Sequence, residues 1–426
     1  MPGPGSSGRR GSSARRRPRT RRSAAEWAVR GTLAIAAAAL GFAGVTRTLA
    51  YSVRAGDPER AHAMAPGDGR ITALAAQKLA GLEASAADRA RSDRLARRAL
   101  LQEPTAVAAA ATLGLNAEIR GDVASARRLF GHAERLSRRD LQTQLWSVED
   151  AVRRGDVAGA LRHYDIALRT SRVAPDLLFP VLGSAIADPA IRTALAGTLK
   201  GRPLWGPGFI DHVAANGREP RATAGLFLAL RRSGVPVSET ARAAVIGALL
   251  TRDLTDAAWS FYAAGRPDAD RRRSRDPGFT ADLVEPSLFD WATINDGRVT
   301  ASIQRGGDPG AGGGGIVDFA APASVGGALL QQLQVLPPGD YRIEGRSAGI
   351  EQPEGARPYW ALSCRDGREL GRVVLPDSAQ AKGRFAGRFS VPAGCPAQVL
   401  ALVARPSDAV GGLSGQIERV LLSPAR

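Results

Sequence analysis

The chain has 426 residues, 44% of them apolar and 23% charged, with a formal net charge of +17. That length supports two or three domains with cores of their own, and the composition excludes a disulfide miniprotein, a polytopic membrane protein and a wholly disordered chain. Of the 58 basic residues all but Lys78, Lys200 and Lys382 are Arg, so the charge is informative only where it is concentrated.

It is concentrated at the N-terminus. Residues 1–30 hold nine Arg against the single acid Glu26, in a background of Gly, Pro, Ser and Ala. Such a segment buries too little apolar surface to offset its ordering entropy, and a disordered basic tail is expected. From Gly31 to Thr46 there is no charge. A helix of that length spans about 24 Å, slightly short of a ~30 Å hydrocarbon core. Trp27 and Tyr51 flank it as interfacial aromatics, and Arg30 and Arg47 can snorkel outward to lengthen the span. The excess of Arg on the N-terminal side predicts that this side stays in the cytoplasm. A single-pass signal anchor over residues 31–51 is the expectation, followed by a polar linker over 52–70. One alternative is a cleaved secretory peptide, since Val53-Arg54-Ala55 before Gly56 loosely resembles a small-residue cleavage site. Another is a buried Ala-rich helix with a nucleic-acid-binding arm. The arm has no interleaved aromatics and no nucleic-acid motif follows it, so no nucleic-acid partner is expected.

From Ile71 the apolar residues fall at helical spacing, as in Leu74, Leu79, Leu82 and then Leu95, Ala99. Gly121-Asp122-Val123-Ala124 recurs 34 residues later as Gly155-Asp156-Val157-Ala158. At the same offset Ala117 maps to Ala151, Ala126 to Ala160, Phe130 to Tyr164 and Ala133 to Ala167. This period and content resemble the tetratricopeptide repeat. Leu113-Gly114 stands where that family has Leu-Gly in its first helix, Gly121-Asp122 occupies the turn, and Ala126, Phe130 and Ala133 match the second helix. The unit at 141–174 departs from it, with Ser147-Val148 in place of Leu-Gly, and the unit at 73–106 is degenerate. Further helices are expected over Pro175–Ala187, Pro189–Leu199, Gly208–Ala215, Arg221–Arg232, Ser238–Thr251 and Thr255–Ala264, giving an all-α repeat domain over 71–265. The resemblance implies a partner-protein surface on the first helices, at Leu115, Glu118, Ile119, Leu145, Glu149, Val152 and Arg153.

Residues 266–284 are charged and contain Pro, and read as a second linker. Beyond them the period changes to two. Strands are expected over Leu288–Ile294, Arg298–Ile303, Gly315–Ala320, Ala328–Leu336, Tyr341–Ser347, Pro358–Arg365, Glu369–Leu375, Arg384–Val391, Gln398–Ala404 and Gly415–Leu422, with Gly306–Gly315 as a loop. About ten short strands argue for a β-sandwich over 285–426. The turn Pro337-Pro338-Gly339-Asp340 leading into Tyr341, with Phe289-Asp290-Trp291 near the start, resembles galactose-binding-like jelly rolls and carbohydrate-binding modules. Such modules stack aromatics on sugar rings, which nominates Trp291, Tyr359 and Trp360. Tyr359 and Trp360 are adjacent on one strand and must point to opposite faces, so one of them is core.

The two cysteines, Cys364 and Cys395, both lie in this region. An exported chain would join them in a disulfide; the alternative is two unrelated buried thiols. No His lies in the region, so a metal site would lack ligands there. The sequence contains no His-Glu-x-x-His, Gly-x-Ser-x-Gly, Walker loop or Cys-x-x-Cys. No cofactor, no metal and no enzymatic activity are expected. An anchor, a repeat domain and a sugar-module-like sandwich together resemble accessory proteins of cell-envelope polysaccharide synthesis or export. The resemblance implies a bitopic bacterial inner-membrane protein whose folded domains face the periplasm, with machinery proteins and glycan as partners. A scaffold whose sandwich binds no sugar and a glycan-processing enzyme with unrecognised chemistry are the alternatives.

Overall fold

The computed structural model describes residues 23–81, 83–305, 314–406 and 411–425. Nearly all of the basic tail, Leu82 and most of the expected glycine loop lie outside the described residues. The chain divides into two compact units, 1–143 and 144–426.

The first unit is helical. Helix α1 (Ala24–Val53) begins at Ser23, whose hydroxyl accepts the Glu26 amide, and runs unbroken for 30 residues. Part of the stretch expected as a linker is helical: α2 (Pro58–Met64) starts with Pro at its first turn and is capped by Asp57. Then follow α3 (Gly69–Lys78), α4 (Ala86–Gln102), α5 (Val107–Ile119) and α6 (Val123–Leu136). Alanines form the core of α3, α4 and α5, where Ala73, Ala76, Ala96, Ala99 and Ala109 are buried. Gly114 is needed on α5 because a Cβ there would lie 2.9 Å from ring carbons of Phe130 on α6.

The division between the units falls within α7 (Leu141–Arg153). Beyond it lie α8 (Val157–Thr170), α9 (Ala174–Ala185), α10 (Pro189–Lys200), α11 (Gly206–Asn216), α12 (Pro220–Arg232), α13 (Glu239–Thr251) and α14 (Thr255–Ala264). These pack in two interleaved rows, α8 on α10 on α12 on α14, and α9 on α11 on α13. Several helices end in the same way. The amides of Asp122, Asp156, Val235 and Leu254 each reach back five residues, to the carbonyls of Ala117, Ala151, Leu230 and Leu249. The turn residue is left-handed each time: Gly121, Gly155, Gly234, and the non-glycine Asp253 at φ 56°. This closure satisfies helix-end carbonyls and reverses the chain. Asp122 and Asp156 then cap the following helix by accepting the Ser125 and Gly159 amides, so the 34-residue sequence repeat is also a repeat of hydrogen bonds.

The rest of the second unit is a sandwich of ten strands among the described residues: β1 (Ala292–Thr293), β2 (Thr300–Arg305), β3 (Gly315–Ala321), β4 (Gly327–Gln334), β5 (Gly339–Ala348), β6 (Tyr359–Cys364), β7 (Glu369–Val374), β8 (Arg384–Val391), β9 (Gln398–Ala404) and β10 (Leu413–Pro424). One antiparallel sheet runs β1-β4-β9-β6-β7 and the other β2-β3-β10-β5-β8. Their facing sides bury Trp360, Leu400, Leu402, Ile343, Ile417 and Val420.

Two expectations change here. The strand expected over Leu288–Ile294 is only the two-residue β1, because residues 287–290 turn on themselves: Asp290 Oδ2 accepts both the amide and the hydroxyl of Ser287. Part of the segment 266–284 is also structural. The Ser274 amide donates to Leu422, the Val420 amide to Pro277 and the Gly315 amide to Gly278, so residues 274–278 continue the line of β3 along β10. Phe279 sits in the sandwich core.

Candidate functional site

The apolar N-terminal helix is long enough to cross a membrane, and its spanning window is wholly unburied. Trp27, Leu33, Ile35, Leu40, Phe42 and Val45 are all exposed on it. Its last turns are different. Ala50 is fully buried with Ala61 and Ile71, and Tyr51 and Val53 pack against that cluster. The Tyr51 hydroxyl donates 3.0 Å to Asp68, and the Arg47 guanidinium lies 3.0 Å from the same carboxylate. Asp68 also caps α3 through the Arg70 and Ile71 amides. Partial burial works against ionisation of Asp68, but the Ile71 amide, the Tyr51 hydroxyl and Arg47 outweigh it and hold the carboxyl below its ordinary value.

The residues expected to meet a protein partner sit on α5 and α7. Leu115, Glu118 and Ile119 are half-buried on α5; on α7 Leu145 is half-buried and Glu149, Val152 and Arg153 are exposed. Arg153 lies over the Trp146 ring at 5.9 Å and 3.8 Å from Asp150, so its guanidinium is already engaged.

In the sandwich the three nominated aromatics separate. Trp360 is 0% exposed and Trp291 5%; their rings lie 5.8 Å apart inside the core. The Trp291 indole donates to the Asp276 carbonyl, while the Trp360 nitrogen is buried without a partner among the described residues. Neither presents a ring face to solvent, which removes both from a sugar-stacking role. Tyr359, pointing the other way, is half-exposed. The guanidiniums of Arg372 and Arg405 lie over its ring at 4.9 and 5.0 Å, and Arg372 is also paired with Glu369. Sequence reasoning missed both arginines, since they come from β7 and the end of β9. A ring between two guanidiniums, on the open face of a sheet, offers cation–π and hydrogen-bonding surface for a polar, oxygen-rich ligand.

Cys364 and Cys395 form a disulfide, tying the end of β6 to the turn before β9. A cleft of about 520 Å³ opens beside it, lined by Arg221, Asp253, Asp256, Arg271, Arg365 and Asp366. Its charges are largely paired: Arg365 lies 3.8 Å from Asp253 and also donates to the Leu250 carbonyl, and Arg271 pairs with Asp256. Among the described residues no group of three His, Cys, Asp or Glu could hold a metal ion.

The strongest polar cluster was invisible to motif reading. Arg275, in the run Arg271-Arg272-Arg273-Ser274-Arg275, is buried. Its guanidinium donates to the Phe289 and Leu333 carbonyls and to Gln334, and stacks near Trp259 and Phe289. Burial pushes its pKa down to about 10, partly offset by Tyr262 and Asp290. Gln332 Oε1 accepts the Arg275 amide and its Nε2 donates to the Arg275 carbonyl, while Gln334 Nε2 donates to Gln332 Oε1, so the two buried glutamines of β4 are satisfied by Arg275 and by each other.

No family model matches the sequence, and no curated protein matches it. Solved structures align to about a third of the chain. A carbohydrate-binding module, TmCBM61, solved with beta-1,4-galactotriose, is 16% identical over 35% of this chain and 97% of its own, with a TM-score of 0.24. The accessory secretory protein 1, 2 and 3 structure from Streptococcus pneumoniae is 12% identical over 36% and 97%, with a TM-score of 0.22. The enzymatically active domain of tailspike protein 4 of bacteriophage CBA120 is 12% identical over 32% of this chain, with a TM-score of 0.23; the alignment spans only 20% of that protein.

Proposed function

We propose that this is a non-enzymatic, membrane-anchored adaptor. Its basic tail is cytoplasmic, and its helical repeats and jelly roll lie across the membrane, in the periplasm of a bacterial cell. The observation that carries the reading is α1, apolar and exposed along its length yet rooted at Ala50 and Tyr51 in the cluster with Ala61 and Ile71. Cleavage after Ala55 would strip that cluster of Ala50, Tyr51 and Val53, which favours a retained anchor over a removed leader. A C-terminal alkaline phosphatase fusion tests the orientation: activity is expected, and an inactive, stably expressed fusion refutes it. N-terminal sequencing of the membrane-extracted protein tests retention.

In this reading the helices from 71 to 264 are tetratricopeptide-like units. They dock envelope or polysaccharide-machinery proteins along α5 and α7, at Leu115, Glu118, Ile119, Leu145, Glu149, Val152 and Arg153. The disulfide suits an oxidising compartment. Glycan contact, if the sandwich makes it, falls to Tyr359 with Arg372 and Arg405. The full-length protein in detergent is expected to bind an envelope polysaccharide on a glycan array, and Tyr359→Ala to lose that signal. The burial of Trp291 and Trp360 favours a second reading, a pure protein scaffold with a non-sugar-binding sandwich. An array without signal, together with partner proteins recovered by crosslinking, selects it.

A further inference from the structure

A separate cleft of about 390 Å³ lies among the last helices, lined by Phe227, Leu228 and Arg231 of α12, the turn Gly234–Val237, Arg242 of α13, Phe261 of α14, Gly265 just past its end, and Arg202 beyond α10. Pockets that take small molecules run from roughly 300 to 1,000 Å³, mostly apolar with a few converging polar groups. This one has an apolar lining of Phe227, Val235, Pro236, Val237 and Phe261, three arginines, and no carboxylate among its lining residues.

The arginines are not spent on structure. The Arg231 side chain makes no hydrogen bond or ion pair among the described residues. Arg202 gives one hydrogen bond, 3.2 Å to the Gly234 carbonyl, and Arg242 has one loose partner, Glu239 at 3.6 Å. Arg202 is also held at φ 50°, a left-handed conformation that costs a non-glycine residue energy and that recurs at ligand sites.

We propose that this cleft binds a small amphiphilic anion, an apolar ring or short acyl body carrying one carboxylate or phosphate. The body lies on the accessible side chains of Leu228, Pro236 and Val237, with the buried Phe227 and Phe261 beneath them, and the head meets Arg231, with Arg202 and Arg242 beside it. Guanidinium pairs readily with either head group through parallel N–H donors. The ligand is distinct from any glycan at Tyr359, and the site stands or falls independently of the adaptor reading.

The test is fluorine NMR on the full chain in nanodiscs, with para-trifluoromethyl benzoate, the matching aryl phosphate, and the uncharged benzamide. One or both anions are expected to broaden while the amide stays sharp, and the tighter of the two identifies the head group. Arg231→Gln is expected to weaken binding about tenfold, the loss of one charge-assisted contact. Arg232→Gln, next in sequence but outside the lining, is the control and is expected to bind as wild type. Anions that stay sharp, an amide that broadens equally, or an Arg231→Gln protein that binds like wild type would each overturn the proposal. Since Arg231 is exposed and unpaired, its variant is expected to fold, and a far-ultraviolet spectrum matching wild type verifies this.

Discussion

The Tyr262 hydroxyl donates a 2.8 Å hydrogen bond to Asp290 Oδ1, joining the last helix to the first turn of the sandwich. Asp290 is a shared acceptor. Arg266 lies 3.2 Å from the same oxygen, and Ser287 donates twice to the other. Tyr262 also packs its ring 5.2 Å from Phe289. The last helix and the sandwich are thus joined through buried chemistry.

Removing Asp290 should therefore cost more than removing Tyr262's hydroxyl. Asp290→Ala strands the tyrosine, Ser287 and Arg266 together and is expected to destabilise by about 3–5 kcal/mol, against about 1–2 kcal/mol for Tyr262→Phe. Urea denaturation followed by tryptophan fluorescence measures both. Burial, with Asp290 adding to it, pushes the Tyr262 hydroxyl well above its ordinary 10.0. A raised folded-state pKa gives stability that is present below 10.0 and is lost as pH rises beyond it, since the unfolded chain ionises first. Wild type is expected to weaken with pH above 10.0, and Tyr262→Phe to lose less over the same range.

The disulfide gives a second expectation. Its half-cystines are 31 residues apart, which in the chain-entropy treatment contributes about 3–4 kcal/mol. Arg365, next to Cys364, donates to the Leu250 carbonyl at the end of α13. Reduction is expected to lower the stability of the sandwich by that amount and to raise amide exchange in the 364–368 and 394–397 turns. Hydrogen-exchange mass spectrometry with and without reductant reads both effects. Unchanged exchange in those turns would show that the bond carries little of the local order.

Local patterns were legible and long-range ones were not. The glycine-aspartate turns at 121 and 155 announce themselves because left-handed backbone and N-capping demand those residue types. Tyr359 and Trp360 divide as alternation requires. The role of Arg275 could not be read, because a run of arginines looks like a solvated linker. Only the fold brings Gln332, Gln334 and Phe289 around it. The expected strand at Leu288 failed for the same reason: its apolar alternation is real, but Asp290 is claimed by Ser287 and Tyr262. The functional aromatics were over-assigned, since nothing local distinguishes a buried Trp from a displayed one.

The α5–α6 pair allows a packing test of the repeat. Gly114 faces the Phe130 ring at a distance that admits no Cβ without movement. Gly114→Val is expected to destabilise the first unit by about 1–3 kcal/mol through overpacking, and Phe130→Ala by about 3–5 kcal/mol through the cavity it leaves. Combining Gly114→Val with Phe130→Leu should recover part of the loss, because the smaller side chain yields the space that the new methyls need. Thermal melts by circular dichroism measure the cycle. Strict additivity of the two substitutions would mean that the contact does not set the helix spacing.

The root of the apolar N-terminal helix α1 should be acid-sensitive. Asp68 is held below its ordinary 3.8 by the Ile71 amide, Tyr51 and Arg47, against partial burial. A lowered folded-state pKa contributes stability that is present above 3.8 and is lost as pH falls through the folded value. Protonation weakens the cap of α3 and both links to α1 at once. In nanodiscs, the amides of α2 and α3 are expected to lose protection as the pH is taken below 3.8, after correction for intrinsic exchange. Asp68→Ala should show low protection already at neutral pH, with a cap loss of about 1 kcal/mol, and little further change in acid. Asp68→Asn keeps the hydrogen-bond acceptor but not the charge, and should fall between the two. A wild-type profile flat down to the unfolding of α4 and α5 would show that Asp68 does not fasten α1 to the helices that follow it.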